Sequence, residues 1–205
     1  MTQKTVLAVD DESMILGAVS AYLESRDYRV LTAVNGRDAL ARFSEGGIDI
    51  ILLDLMLPDI SGEEICRKIR EISQVPIIML TAKVAENSQL QGLSIGADDY
   101  VTKPFSLKLL AARIETILRR VPENDPPDLF ADKQLTATER KIMNALSRRP
   151  NKIFSRDELI DIVFDDSFDS YERVIDTHIK NLRRKIGADF LKTVRGFGYK
   201  WGAEK

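Results

Sequence analysis

Five polar residues close apolar runs at points where their chemistry can combine. Asp10 and Asp11 follow Thr5-Val6-Leu7-Ala8-Val9, Asp54 follows Ile48 to Leu53, Thr81 follows Ile77-Ile78-Met79-Leu80, and Lys103 follows Asp98 to Thr102. Three carboxylates and one ammonium in one crevice leave an excess of about two negative charges, costly at short range without a cation. An oxygen-only donor set with no His or Cys nearby suits Mg²⁺ or Mn²⁺ and not Zn²⁺. An Asp carboxylate beside such a cation can attack a phosphoryl group in line, while an ammonium and a hydroxyl neutralise the equatorial oxygens. Asp54 is the expected nucleophile, with Thr81 and Lys103 stabilising the transferred group. Each aspartate alone reads as a loop cap; the convergence of four chain segments carries the site.

Such a convergence needs a sheet whose strand ends lie together. Residues 1–120 alternate strand and helix: strands at Thr5–Val9, Arg29–Val34, Ile48–Asp54, Pro76–Thr81 and Asp98–Thr102, helices at Ser13–Arg26, Gly36–Glu45, Gly62–Ile72, Glu86–Ile95 and Ser106–Arg120. The third and fourth strands do not alternate polar with apolar residues, which predicts burial on both faces in a doubly wound (βα)5 α/β parallel sheet. Ligand crevices in such sheets lie at the carboxyl ends of the strands, where the polar residues fall. Val121 to Asp128 holds three of the seven prolines and no periodicity, so residues 121–130 read as a linker between a domain over 1–120 and a second over 131–205. In that second domain, caps at Thr136 and Ser155 open helices running to about Arg149 and Phe164. A third helix runs from Tyr171 to Ile186 and ends at Gly187. Leu191–Val194 and Tyr199–Trp201, around Arg195-Gly196-Phe197-Gly198, predict a hairpin. Three helices and a hairpin make a winged helix-turn-helix.

Composition narrows the function class. The 205 residues are 44% hydrophobic and 30% charged, an ordinary folded chain. No apolar run reaches the ~18–20 residues of a membrane span, and the N-terminus enters a strand directly, so a cytoplasmic protein is expected. The single cysteine, Cys66, excludes an internal disulfide and a cysteine zinc site. Net charge is −2, yet residues 171–205 carry nine basic and four acidic side chains. This local positive field suits a polyanion, although charge alone also fits a solvated lysine-rich tail. In the third helix Ile175, Ile179, Leu182 and Ile186 form an inward stripe, and Arg173, Thr177, Lys180 and Arg184 lie opposite with Asn181 beside them. That face suits the major groove of double-stranded DNA, with Lys and Arg on phosphates and Asn on adenine edges. Arg195, on the hairpin turn, can reach a phosphate or a narrow minor groove.

Asp10-Asp11, Asp54 with Pro58 four residues on, Thr81-Ala82 and Lys103-Pro104 resemble the receiver domain of bacterial two-component response regulators over residues 4–120. The resemblance implies strand order 2-1-3-4-5 and phosphate transfer to Asp54 from a sensor histidine kinase. It implies Mg²⁺ held by Asp11, Asp54 and the backbone of Met56, with Asp10 assisting through water, and phosphoryl oxygens bound by Thr81 and Lys103. It also implies a switch in which Thr81 moves toward the phosphoryl group and Tyr100 turns inward, reshaping the face of helices 86–95 and 106–120 and strand 98–102. Arg173 to Ile179, Leu182 to Lys185 and Thr193 to Tyr199 are similar to the output domain of the OmpR/PhoB class over about 135–202. This implies that Thr177, His178, Lys180, Asn181 and Arg184 face DNA, and that Thr193, Arg195 and Tyr199 contribute from the wing. His178, the chain's one histidine, also reads as a core side chain. Asp165 to Ser170 would be the loop that meets RNA polymerase in activators.

Two departures from the family pattern stand out. Only residues 121–134 separate Arg120 from Leu135, so the usual four-stranded platform is expected to be missing or cut to one short strand near Leu129–Lys133. Family members form homodimers through cross-subunit ion pairs on the switch face, where Asp98, Asp99, Arg113 and Arg120 remain. Gln91, Ser94, Leu109 and Glu115 replace the usual opposite charges, and Leu109 offers an apolar contact instead. Exposed pairs contribute only ~0–1 kcal/mol each, so their loss does not forbid pairing. The expectation is a phosphorylation-controlled, sequence-specific transcription regulator with half-sites about 10–11 bp apart, not an enzyme beyond its own phosphorylation and dephosphorylation. One alternative is a phosphorylation-independent DNA-binding regulator. The other is an aspartyl-phosphate phosphohydrolase, which needs a second acid two residues after the nucleophile, where Met56 stands.

Overall fold

Uninterrupted Val, Ile and Leu cannot be solvated on either face of a strand, and the chain uses them where a sheet is covered on both sides. The computed structural model describes residues 3–82, 95–118, 130, 133–164 and 172–202. The chain divides into two units, Met1–Leu118 and Arg119–Lys205. In the first, β1 (Thr5–Val9), β2 (Arg29–Ala33), β3 (Ile50–Asp54), β4 (Ile77–Thr81) and β5 (Asp99–Thr102) form a parallel sheet in the order β2-β1-β3-β4-β5. Every residue of β1, β3 and β4 is buried, whereas the edge strand β2 is only half covered. Register pairs Asp54 with Leu80 and Thr81 with Thr102, so the polar strand ends arrive at one edge.

The helices of this unit are α1 (Ser13–Glu24), α2 (Gly36–Ser44), α3 (Gly62–Ile72) and α4 (Leu107–Leu118). The helix expected over 86–95 lies outside the described residues, except Ile95, which is in a turn. Helix α1 stops before Arg26 because the chain reverses at Asp27, with φ +64. Two devices shape the chain after β3. Asp59 accepts hydrogen bonds from the backbone N–H groups of Gly36 (2.7 Å), Arg37 (3.0 Å) and Ile60 (2.8 Å), which ties this loop to the start of α2. These donors, Gly36 foremost, hold its carboxyl below the usual range. Gly62 closes the loop against β3: its N–H donates to the Leu55 carbonyl at 3.0 Å, and a Cβ there would lie 2.2 Å from the Asp54 carbonyl oxygen.

In the second unit α5 (Ala137–Arg148), α6 (Arg156–Phe164) and α7 (Glu172–Ile186) precede an antiparallel hairpin of β6 (Leu191–Val194) and β7 (Gly198–Trp201). Helix α5 begins with a capping box between Thr136 and Glu139, and the buried Glu139 also accepts from Lys185 at 2.6 Å. Ile142, Leu146, Leu159, Val163, Ile175, Ile179 and Leu182 form the core. Phe130, placed by the sequence at the linker's last position, is buried edge-on against Phe190, 5.0 Å between ring centres, and near Trp201. Among the described residues no strand lies between α4 and α5; residues 119–129 and 131–132 are outside them. No helix among the described residues is long and apolar enough to cross a membrane.

The wing is joined to the helices through Asp176. Its carboxylate accepts from Tyr199 Oη at 2.6 Å and from Arg156 Nε at 2.7 Å. Burial first, and then the hydrogen bond to Asp176, pushes the Tyr199 phenol up to about 12.

Two predictions arise from these contacts. Gly62→Ala must displace backbone at the end of β3, so it should lower stability by about 2–4 kcal/mol in urea unfolding of the full chain. The Tyr199 phenol has a folded pKa above its unfolded value of 10.0. Its contribution is therefore complete below pH ~10 and is lost as pH rises toward ~12, up to about 2 kcal/mol in all. The fluorescence of Trp201, the chain's one tryptophan, should report this alkaline loss in the wild type and a shallower one in Tyr199→Phe.

Candidate phosphoacceptor site and nucleic-acid interface

The ends of β1, β3, β4 and β5 deliver the acidic site. Asp10, Asp54 and Thr81 are buried and Asp11 is exposed, and carboxylate oxygens of Asp10, Asp11 and Asp54 lie within 4.8 Å of one another. Lys103 reaches in from the segment after β5, its Nζ 2.7 Å from both Asp10 Oδ2 and Asp54 Oδ2. Backbone N–H groups hold the other oxygens: Glu12 donates to Asp10 Oδ1 at 3.0 Å, and Met56 to Asp54 Oδ1 at 3.1 Å. The Lys103 N–H donates to the Thr81 carbonyl at 2.6 Å, so its backbone is fixed as well. Burial raises the Asp10 pKa, against the pull of Lys103. For Lys103 burial opposes the charge, but hydrogen bonds and attraction from Asp10 and Asp54 prevail and raise its pKa. Sequence reasoning missed Glu12, whose carboxylate stands 3.4 Å from Lys103; its place directly after Asp10-Asp11 was the available signal. Among the described residues one ammonium thus stands beside four carboxylates, and the oxygen-only donor set fits a hard divalent cation such as Mg²⁺. Tyr100 is buried, which raises its pKa.

The expected pairing face needs correction. Asp98 and Asp99 are both 0% exposed and are satisfied within the chain. Asp98 accepts from Arg70 Nη2 at 2.9 Å and from the Ile77 N–H at 3.0 Å; Asp99 accepts from Arg113 Nη1 at 2.8 Å and from the Tyr100 N–H at 2.7 Å. A buried carboxylate must be paired where it sits, so neither these two nor the buried Arg113 is presented for cross-subunit ion pairs. Leu109 is half-buried, and Arg120 lies outside the described residues.

The DNA-facing set is also smaller than expected. His178, Asn181 and Tyr199, expected to face DNA, are 1%, 3% and 5% exposed, so these side chains are packed inside the unit. The inward face of α7 is wider than a four-residue stripe: His178 stands one turn from both Val174 and Leu182, and Asn181 Oδ1 accepts from Arg184 at 3.2 Å. Lys180, Arg184, Thr193 and Arg195 are exposed and Thr177 is half-buried. Thr193 Oγ1 accepts from Arg183 Nη2 at 2.8 Å, and Arg183 also caps the Leu191 carbonyl, fixing the hairpin to α7. Arg173 lies on α7, but its side chain is outside the described residues, as is the segment Asp165 to Ser170.

Comparison with known proteins agrees with both halves. Residues 6–115 match the response regulator receiver domain family, and residues 131–201 match the family of transcriptional regulatory protein C-terminal domains. The transcriptional regulatory protein BaeR of Escherichia coli O6:H1 is 37% identical over 223 aligned positions, covering 97% of this chain and 93% of the relative. SrrA of Staphylococcus aureus is 36% identical over 227 positions, covering 96% and 94%. Both alignments exceed the chain's 205 residues, so these relatives hold segments with no counterpart here. The response regulator DrrB of Thermotoga maritima, an OmpR/PhoB homologue, superposes with TM-score 0.59 at 33% identity over 98% of this chain and 100% of its own. A mutant of RitR gives TM-score 0.75 at 25% identity over 97% and 98%. BaeR and SrrA are transcriptional regulatory proteins, and in this chain the receiver match precedes the transcriptional regulatory C-terminal match. The chain therefore belongs to the OmpR/PhoB class of two-component response regulators, which pair with a histidine kinase and bind DNA.

Proposed function

We propose that Asp54 takes a phosphoryl group from the phosphohistidine of the partner kinase, and that the modified chain regulates transcription by binding DNA as a homodimer. The observation that carries this reading is the single ammonium of Lys103 clasping Asp10 and Asp54 at 2.7 Å beside a third carboxylate. An Asp54 carboxylate oxygen attacks phosphorus in line as the P–N bond breaks, and the imidazole leaves with the bonding electron pair. Lys103 turns from the carboxylates to a phosphoryl oxygen, and the Thr81 hydroxyl donates to another. Asp10, Asp11 and Asp54, with the backbone of Met56, would hold Mg²⁺ or Mn²⁺, which when bound neutralises charge on the transferred group. Hydrolysis of the acyl phosphate returns Asp54, so the chain's catalysis is confined to itself.

Inward packing of Tyr100 then stabilises the phosphorylated state, and population shifts only by the differential interaction the phosphate makes with the two states. Pairing of two such chains uses the face that includes Leu109, and it raises the effective concentration of the second winged helix at a neighbouring half-site. Thr177, Lys180 and Arg184, with Arg173, enter the major groove, while Arg195 and Thr193 contact the backbone or minor groove from the wing. The acidic segment 165–170 is the proposed contact with RNA polymerase.

Acetyl phosphate with Mg²⁺ should add one phosphoryl mass to the wild type and none to Asp54→Ala; an equal gain in both would sink the assignment. Arg195→Ala should weaken duplex binding by about 1–3 kcal/mol and lower the salt slope by about one in titrations across ionic strength.

A further inference from the structure

Glu12 joins the acidic site to α1. Its N–H donates to Asp10 Oδ1 at 3.0 Å, and its carbonyl accepts from the N–H groups of Ile15 and Leu16 at 3.0 and 3.1 Å, so its backbone is pinned on both sides. Its carboxylate does not cap α1; among the described residues its ion-pair partner is Lys103, at 3.4 Å. That ammonium already holds Asp10 and Asp54 at 2.7 Å each, so Glu12 is the outermost of its three carboxylates. The Glu12 side chain is 62% exposed, against 5% for Asp54. Its negative charge is therefore poorly compensated and stands on the solvent side of the nucleophile.

In-line attack decides what passes that charge. With Asp54 at the buried end, the leaving group lies on the far side of phosphorus, toward solvent and Glu12. Glu12 and Lys103 also line a recess of about 550 Å³ whose other walls are apolar, Ile15, Val19, Ala82 and Phe105 among them. Apolar walls screen a charge less than water does, so the carboxylate acts on the departing group more strongly than it would in open solvent. Two classes of donor respond differently. In an acyl phosphate, the bond from phosphorus to the acyl oxygen breaks as the bond to the Asp54 oxygen forms, and a carboxylate anion leaves with the electron pair. In a phosphoimidazole with a protonated ring, the P–N bond breaks, the electron pair returns to the ring, and neutral imidazole leaves. In the transition state the first leaving group carries part of a negative charge and the second part of a positive one, so a neighbouring carboxylate repels one and attracts the other. We propose, on the reading of Asp54 as phosphoacceptor, that Glu12 sets the donor specificity of this site, favouring P–N donors that release a neutral ring and disfavouring acyl phosphates that release an anion.

The test gives the full-length chain, at saturating Mg²⁺, either acetyl phosphate or phosphoimidazole and follows phosphoryl gain by intact mass to obtain a second-order rate constant for each donor. Glu12→Gln should raise the ratio of the acetyl phosphate constant to the phosphoimidazole constant about fivefold. Glu12→Lys should raise it further, and Glu12→Asp should keep it near the wild-type ratio. Added salt should raise the wild-type ratio more than that of Glu12→Gln, because an exposed charge is screened. A change in Mg²⁺ affinity or in packing alters both constants together and leaves their ratio in place. A ratio that Glu12→Gln moves by less than about twofold, or moves downward, would therefore overturn the proposal. A wild type that gains no phosphoryl mass from either donor would instead remove Asp54 as phosphoacceptor, and this inference with it.

Discussion

The receiver depends on an imbalance of charge that its described side chains do not resolve. Lys103 sits between Asp10 and Asp54 with Asp11 and Glu12 close by, so one ammonium stands against four carboxylates at the end of a buried sheet. Such a concentration of like charge is unfavourable unless further positive charge arrives. A site of this kind is poised to take up a cation and to hold a group whose oxygens can replace carboxylates around the ammonium. The parallel sheet exists, in this sense, to bring four distant segments to one edge and to bury all but their tips.

Much of this was legible in the residues. Non-alternating apolar strands foretold burial on both faces, and the polar residue closing each strand foretold the crevice, because side-chain chemistry and strand ends coincide in such sheets. Phe154 was not legible as a sheet partner, since an isolated bridge leaves no periodicity. Phe130 falls at the end of the expected linker because prolines and acids precede it, yet its ring finds Phe190 and Trp201, which are distant in sequence.

The expected contact residues that the structure buries share one cause. His178, Asn181 and Tyr199 are polar, and polarity on a basic helix or wing suggests solvent or a ligand. The period of α7 instead carries His178 and Asn181 inward, and Tyr199 hands its hydroxyl to Asp176. The same holds for Asp98 and Asp99: their guanidinium partners, Arg70 and Arg113, come from helices that sequence spacing does not connect to β5. Among the described residues Asp98, Asp99, Asp176 and Tyr199 serve as internal joints.

Asp59 is one such joint, and its place has a mechanical consequence. Its carboxylate moors the stretch just beyond Asp54 to the first turn of α2, while Gly62 presses the far side of that stretch onto β3. Asp54 thus stands on ground anchored to the start of α2 and to the end of β3. If Asp54 is modified as proposed, that moored flank resists displacement, and the strain is carried toward Thr81 and Lys103 at the ends of β4 and β5.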